Sequence, residues 1–295
     1  MHGWRESPAA VLSVTLPSDL SEQVARALEE DIGSGDVTAA LISPRTQAHA
    51  RVLCRESAVL CGIPWFNEAF RRVDPGVAID WRCREGEAVT ANAILCTLHG
   101  PARALLTAER TALNFLQLLS ATATVTQRYV EAVRGTSCRI LDTRKTLPGL
   151  RSAQKYAVRC GGGSNHRLGL YDLVLIKENH IAAAGGIAAA IAAARSQAPQ
   201  LRVELEAEDL EQVHQGLAAS ADIIMLDNFT IEQMRAAVAA NRAHARPAQL
   251  EASGGVSLQN LRAIAETGVD YISVGALTKN VAAIDLSLRI EDSAG

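Results

Sequence analysis

The sequence predicts an α/β protein: an incomplete TIM-like (β/α) barrel preceded by an N-terminal α+β open-sandwich domain. Three observations point there. After Thr136, short apolar runs alternate with helical stretches, the rhythm of βα units around a parallel sheet. Between residues 48 and 100 apolar and polar residues instead alternate singly, as in a sheet with one covered face. Almost every strand of the second half then ends on a polar or small residue, at the level where the loops of a parallel barrel open on one face.

Taken in order, residues 1–18 show no clear periodicity and read as a mobile or partner-contacting end. SDLSEQVARALEEDIG then gives a helix, with Ser18 as the N-cap candidate, Leu20, Val24, Ala27 and Leu28 on its apolar face and Gly33 as its stop. AHARVLC, VAIDWRCR and AILCTLHG read as strands, with turns at Asp74–Gly76 and Arg84–Glu87. Pro101 opens a helical run to about residue 133 whose apolar residues nearly encircle it, so it is expected to be buried and to bridge two domains, 1–135 and 136–295. The strands beyond it are expected at Arg139–Leu141, Leu173–Ile176, Arg202–Leu205, Asp222–Leu226, Gln249–Ala252 and Tyr271–Val274. Helices are expected from near Pro148, Ala182, Ala207, Ile231 and Ser257, and the C-terminal tail is free to pack back on the first domain. Six strands fall short of the eight of a complete barrel. An open doubly wound sheet is the rival arrangement, but no strand is followed by G-x-G-x-x-G.

Composition narrows the classes. The 295 residues carry a net charge of −3, which gives no bulk attraction to nucleic acid or to an anionic membrane. Six cysteines lie scattered with no C-x-x-C pair, and the first residues lack the apolar core of a signal peptide, so a reduced, cytoplasmic setting is expected without disulfides or a zinc site. The longest charge-free apolar run, Ile181–Ala194, is shorter than the roughly 20 residues of a membrane span and reads as one closely packed helix of small residues.

Charge is not spread evenly. Between Arg139 and Lys177 stand eight cations (Arg139, Arg144, Lys145, Arg151, Lys155, Arg159, Arg167, Lys177) and only two acids (Asp142, Asp172). A solvated basic face is the commoner meaning of such a run. These cations, however, sit among strand ends, Pro148 and Gly161–Gly163 rather than along one helix, which suits a pocket for a small polyanion. Glu206 and Asp227 each end an apolar strand; a lone acid there would be a helix cap or a surface ion pair, but two on successive strands suit magnesium, which takes one or two carboxylates along with substrate phosphate oxygens. Ser253–Gly254–Gly255 and Ser273–Val274–Gly275 have the placement of a split phosphate site, where glycines admit backbone N–H groups and a following helix adds its dipole; ordinary glycine turns are the alternative. Lys177 also has the placement of a Schiff-base lysine, although among so many cations a protonated, anion-binding role suits it better.

The same stretch closely resembles the signature region of the quinolinate phosphoribosyltransferase family, the carboxylating nicotinate-nucleotide pyrophosphorylases. DTRKT (Asp142–Thr146), PGLR (Pro148–Arg151), KYAV (Lys155–Val158), GGGSNHRLGL (Gly161–Leu170) and LIKENH (Leu175–His180) match in order and spacing, and the resemblance runs from about Glu30 to Arg289. It implies a transferase that joins quinolinate to phosphoribosyl pyrophosphate and gives nicotinate mononucleotide, pyrophosphate and CO2 on the way to NAD. It further implies that Arg144, Lys145, His166, Arg167 and Lys177, with Thr143 beside them, form the substrate pocket. By the same resemblance Lys145, Glu206 and Asp227 are expected to carry the catalysis, the two acids contacting the ribose hydroxyls and Mg2+. Arg110, which on sequence alone has only a surface or interdomain role, would enter a neighbouring subunit's pocket in a homodimer or a higher oligomer.

Overall fold

The computed structural model describes residues 14–291; most of the predicted mobile or partner-contacting end, residues 1–13, lies outside them. The first helix, α1, is Leu20–Ile32 and stops at Gly33, whose φ of 52° suits a residue without a Cβ. Its N-cap is Asp19 rather than Ser18. The Asp19 carboxylate makes no cap bond and instead accepts from Gln23 Nε2 and Ser152 Oγ, both at 2.8 Å.

The first domain continues with β1 (Gln47–Cys54), β2 (Ala58–Val59), α2 (Ile63–Val73), β3 (Ala78–Trp81), β4 (Ala88–Val89) and β5 (Ile94–Pro101). The reading of residues 48–100 as strands therefore missed α2. Its signal is present: Trp65, Phe66, Ala69 and Phe70 recur at helical spacing and are all buried, and Pro64 sits in the first turn. A 31-residue helix, α3 (Ala102–Ala132), follows and runs for roughly 45 Å at 1.5 Å per residue. It belongs to both cores. Leu105, Leu113, Leu116 and Leu119 pack with the first domain, whereas Tyr129, and Val133 just after the helix, pack with the second.

The second domain alternates β6 (Arg139–Leu141), α4 (Arg151–Cys160), β7 (Val174–Ile176), α5 (Glu178–Ala184), α6 (Ile187–Gln197), β8 (Val203–Ala207), α7 (Leu210–Ala218), β9 (Ile223–Asp227), α8 (Ile231–Ala243), β10 (Gln249–Ser253), α9 (Leu261–Ala265), β11 (Tyr271–Ser273) and α10 (Ala276–Lys279). The six strands are parallel in the order β6-β11-β10-β9-β8-β7. Because β6 and β7 stand at the two ends of that order and are not paired, the barrel is incomplete there. One residue partly covers the open edge of β6: Ser164 N–H donates to Ile140 O at 2.8 Å, and Asp142 N–H donates to Ser164 O at 3.1 Å. The chain then returns, and β12 (Leu286–Ile290) joins the first domain's antiparallel sheet in the order β12-β1-β5-β3.

Two helical expectations change. Ile181–Ala194 is not one helix, because Gly185 and Gly186, at φ 81° and 133°, separate α5 from α6. After β10 the helix begins at Leu261 rather than Ser257, since Ser257 N–H donates to Asn260 Oδ1 and Asn260 Nδ2 donates to Gly255 O, which closes a turn first. No helix among the described residues is long and apolar enough to cross a membrane.

Candidate functional site

The strand ends of a parallel barrel converge, and strand alternation decides which side chains enter the interior. Glu204 and Glu206 on β8 are two residues apart and share a face, as do Glu251 and Ser253 on β10. Two levels result. Glu204 and Glu251 lie deep and fully buried, whereas Glu206, Asp227 and Ser253 stand half-buried at the rim.

Behind β6 a buried network fixes the segment between α4 and β7. Lys155 Nζ pairs with Asp142 and also donates to His166 O at 2.9 Å; Asn165 Nδ2 donates to Asp142 Oδ2 at 2.6 Å; His166 N–H donates to Asp142 Oδ1 at 2.9 Å. Burial pushes the Asp142 carboxyl up and the Lys155 ammonium down despite their pairing, so desolvation outweighs the attraction and the pair acts chiefly as geometry. The glycines ahead of it allow close approach to α3. A Cβ at Gly161 would sit 2.4 Å from Ala123 O, and one at Gly163 would sit 2.7 Å from Thr126 Cγ2. Lys155 is thus one of the eight cations that does not face the mouth.

Arg144, Lys145 and Arg167 do. None of the three has an ion-pair partner among the described residues, and the buried Nε of Arg144 has no hydrogen-bond partner at all. Burial, then the charge of Arg144, pulls the Arg167 guanidinium below its usual value, with Glu204, Asp172 and Glu206 pulling the other way. Two arginine charges that act on one another, with no ion-pair partner among the described residues, suit an anionic partner. Lys177, by contrast, pairs with Glu206. An ammonium held by a carboxylate is a poor amine nucleophile, which argues against the Schiff-base reading. Among the described residues the Asp227 carboxylate receives only Asn228 Nδ2, at 2.8 Å.

Opposite these groups, Gly254 has φ 90°, and a Cβ there would lie 2.1 Å from Asn228 Oδ1, so only glycine fits. Among the described residues the backbone N–H groups of Gly254, Gly255 and Gly275 donate to no other chain atom. Gly275 lies against Lys145 and Thr143, whose Oγ1 accepts from Lys145 N–H at 3.0 Å, and Thr278 Oγ1 donates to Lys145 O at 2.7 Å. The last loop and the first therefore form one wall. Val274 offers only backbone, its side chain being core, and Ser273 is buried beside Glu251 with its hydroxyl unpartnered. The expected helix start is adjacent for Gly275, which caps α10, but not for Gly254 and Gly255, because of the turn that delays α9. Arg110 is exposed on α3, and no hydrogen bond or ion pair among the described residues ties it to this mouth.

Glu204 and Glu251 were missed by sequence reasoning. Their carboxylate oxygens lack aligned hydrogen-bond donors, and His166 Nε2 lies 3.0 Å from Oε2 of Glu204 and 3.5 Å from Oε2 of Glu251. Burial and then the Glu204 charge push Glu251 up to about 8. Burial opposes charge on His166, but the two carboxylates prevail and raise it. Acids inside VELE and LEAS were a readable signal, since a strand buried on both faces normally carries none. A cavity of about 770 Å³ opens not over the strand ends but beside them, between the loop after β6 and the segment 165–171.

Fold and mouth together define a class: an incomplete β/α barrel whose strand ends set arginines without ion-pair partners among the described residues beside glycines with free backbone N–H groups. Comparison with known proteins places the chain within that class. Residues 122–289 match the quinolinate phosphoribosyl transferase C-terminal domain, and residues 36–120 match the corresponding N-terminal domain. The chain belongs to the quinolinate phosphoribosyl transferase family. It is 45% identical over 275 residues to the nicotinate-nucleotide pyrophosphorylase [carboxylating] of Mycobacterium leprae, covering 91% of this chain and 96% of that one. It is 41% identical over 264 residues to a probable nicotinate-nucleotide pyrophosphorylase [carboxylating] of Bacillus subtilis, covering 88% and 90%. The solved nicotinate-nucleotide pyrophosphorylase of Francisella tularensis superposes with a TM-score of 0.89 at 46% identity, over 94% of this chain and 98% of that one.

Proposed function

We propose that the protein transfers a phosphoribosyl group from phosphoribosyl pyrophosphate to quinolinate, giving nicotinate mononucleotide, pyrophosphate and CO2 for NAD synthesis. The observation that carries this reading is that Arg144 and Arg167, whose charges act on one another, have no ion-pair partner among the described residues, because two adjacent carboxylates on a pyridine ring call for forked cationic partners. Arg110 of a second subunit would add a third in a homodimer. Gly254, Gly255 and Gly275 would take the 5-phosphate through their backbone N–H groups, with Ser253 beside them. Lys145, held against Gly275, would neutralise the departing pyrophosphate.

Glu206 and Asp227 end neighbouring strands and offer hard oxygen donors, which fits Mg2+. The ion would supply charge neutralisation at the pyrophosphate when bound. The two acids also favour the positive charge that develops at C1 of the ribose. In the transfer the C1–O bond to pyrophosphate breaks as the C1–N bond to the pyridine forms. The resulting pyridinium accepts the electron pair left at C2 when CO2 departs, and a proton from solvent fills that position. The chain's part in this second step is to hold the ring still while solvent is kept from the first. A cytoplasmic setting suits the six free cysteines.

The test is product analysis after mixing protein with phosphoribosyl pyrophosphate, Mg2+ and either quinolinate or nicotinate. Nicotinate mononucleotide with stoichiometric CO2 from quinolinate alone is expected. Equal product from nicotinate, or none from either acid, overturns the assignment.

A further inference from the structure

The resemblance places His166 among residues that touch substrate, yet its polar atoms are all turned toward the protein. Its N–H donates to Asp142, its carbonyl accepts from Lys155, its Nδ1 accepts from Arg167 N–H at 2.7 Å, and its Nε2 faces the two buried carboxylates. No ring nitrogen is left for a ligand in the mouth. What the ring does reach is the backbone N–H of the next residue, Arg167, whose guanidinium feels the charge of Arg144. Beneath it Glu204 and Glu251 come from β8 and β10, strands separated by β9 alone. Both are fully buried, and among the described residues their oxygens find only the His166 ring, one another and the Ser273 hydroxyl nearby. Two unsolvated acids facing one another are costly unless a third group justifies them.

We infer that Glu204 and Glu251 are positioning residues for the site that takes the pyridine acid. They draw the His166 ring inward, and His166, through the Arg167 N–H on its Nδ1, sets the backbone from which the Arg167 guanidinium reaches its place beside Arg144. The ring is a post under the arginine rather than a contact to the substrate. The chain of contacts is continuous from carboxylate to ring to backbone N–H, and it makes no hydrogen bond to Gly254, Gly255 or Gly275, although Ser273, two residues before Gly275, lies beside Glu251. The acid site should therefore respond to changes in it while the phosphate site does not. This inference rests on the reading of Arg144 and Arg167 as the grip for a dicarboxylate.

Calorimetry with two probes separates the possibilities: benzene-1,2-dicarboxylate, which has the two adjacent carboxylates and no ring nitrogen, and phosphoribosyl pyrophosphate. In Glu251→Ala and in His166→Ala the dicarboxylate should bind ~10-fold or more weakly and phosphoribosyl pyrophosphate within ~2-fold of wild type, and the double variant should be no weaker than the poorer single, because residues acting in one chain do not add. Glu251→Gln, with the same volume and one acceptor oxygen kept, should recover most of the loss and guards against a variant that fails to fold. The inference is overturned if the losses multiply in the double variant, which would make His166 a separate contact. It is equally overturned if the dicarboxylate affinity does not change, or if both probes are lost together. Wild type serves as the lane for the parent reading: absence of dicarboxylate binding there defeats the grip itself, and the inference with it.

Discussion

Two tiers of charge lie at the same end of one barrel and are treated oppositely. In the lower tier Asp142 faces Lys155, and His166 faces Glu204 and Glu251, all buried and turned toward one another. In the upper tier Arg144, Lys145 and Arg167 have no ion-pair partner among the described residues, while the rim acid Glu206 is paired with Lys177. The lower tier spends its charge on geometry. The upper tier leaves it unspent, and unpaired cations held close by a rigid scaffold are what a bound anion repays. Counting charges along the chain mixes the two tiers; counting partners separates them.

The largest expected effect is on the lower tier. Lys155→Met leaves the Asp142 carboxylate buried without its cation and should cost about 3–5 kcal/mol of stability, read as a fall in the denaturant midpoint at constant slope. A midpoint within error of wild type would show that the two tiers do not differ in the way described. Lys145→Ala probes the other side of the contrast. It should lower kcat by roughly 10²–10³, the usual effect of removing one group that meets developing charge, while the melting temperature stays put. Full turnover in that variant would contradict its role.

Arg144→Ala should raise the quinolinate KM by roughly 10–100-fold, about 1.4–2.7 kcal/mol for a charge-assisted pair, with no loss of stability since the folded chain gives Arg144 no counter-ion. Destabilisation by that change would mean the arginine has a structural partner after all. The smallest effect is on pH dependence. The folded Glu251 carboxyl titrates near 8, above its ordinary 4.5. Between those values the folded state holds a proton that the unfolded state has lost, so stability should fall as pH rises through that window. Glu251→Gln removes the titration. Its stability should gain on wild type as pH rises through the window between those two values. A constant gap across that range would place the proton elsewhere.

Much of this was legible in the sequence because strands and strand ends are local. Each of the six barrel strands could be read from two to four apolar residues, and barrel geometry then aligned their ends without further information. α2 was hidden because IPWFNEAFRR lies between strands and its aromatic residues suit either element until burial decides. Glu204 and Glu251 were hidden for a different reason. Each is a single acid in an apolar run, and only the closure of β8 and β10 around one interior brings them within reach of His166. Lys155 counted as a mouth cation for the same reason: its partner, Asp142, lies 13 residues away, and sequence distance does not say which way a side chain turns. Sequence thus supplied the inventory of charges, and tertiary closure divided it into paired and unpaired.

That division is tested most directly by titrating the wild-type protein with quinolinate and with nicotinate under one set of conditions. Unpaired arginines waiting for two adjacent carboxylates should bind quinolinate at least ~10-fold more tightly, about 1.4 kcal/mol for the second forked contact. Equal affinities for the two acids would mean that the second carboxylate meets nothing built for it, and that the open charges of the upper tier serve some other anion.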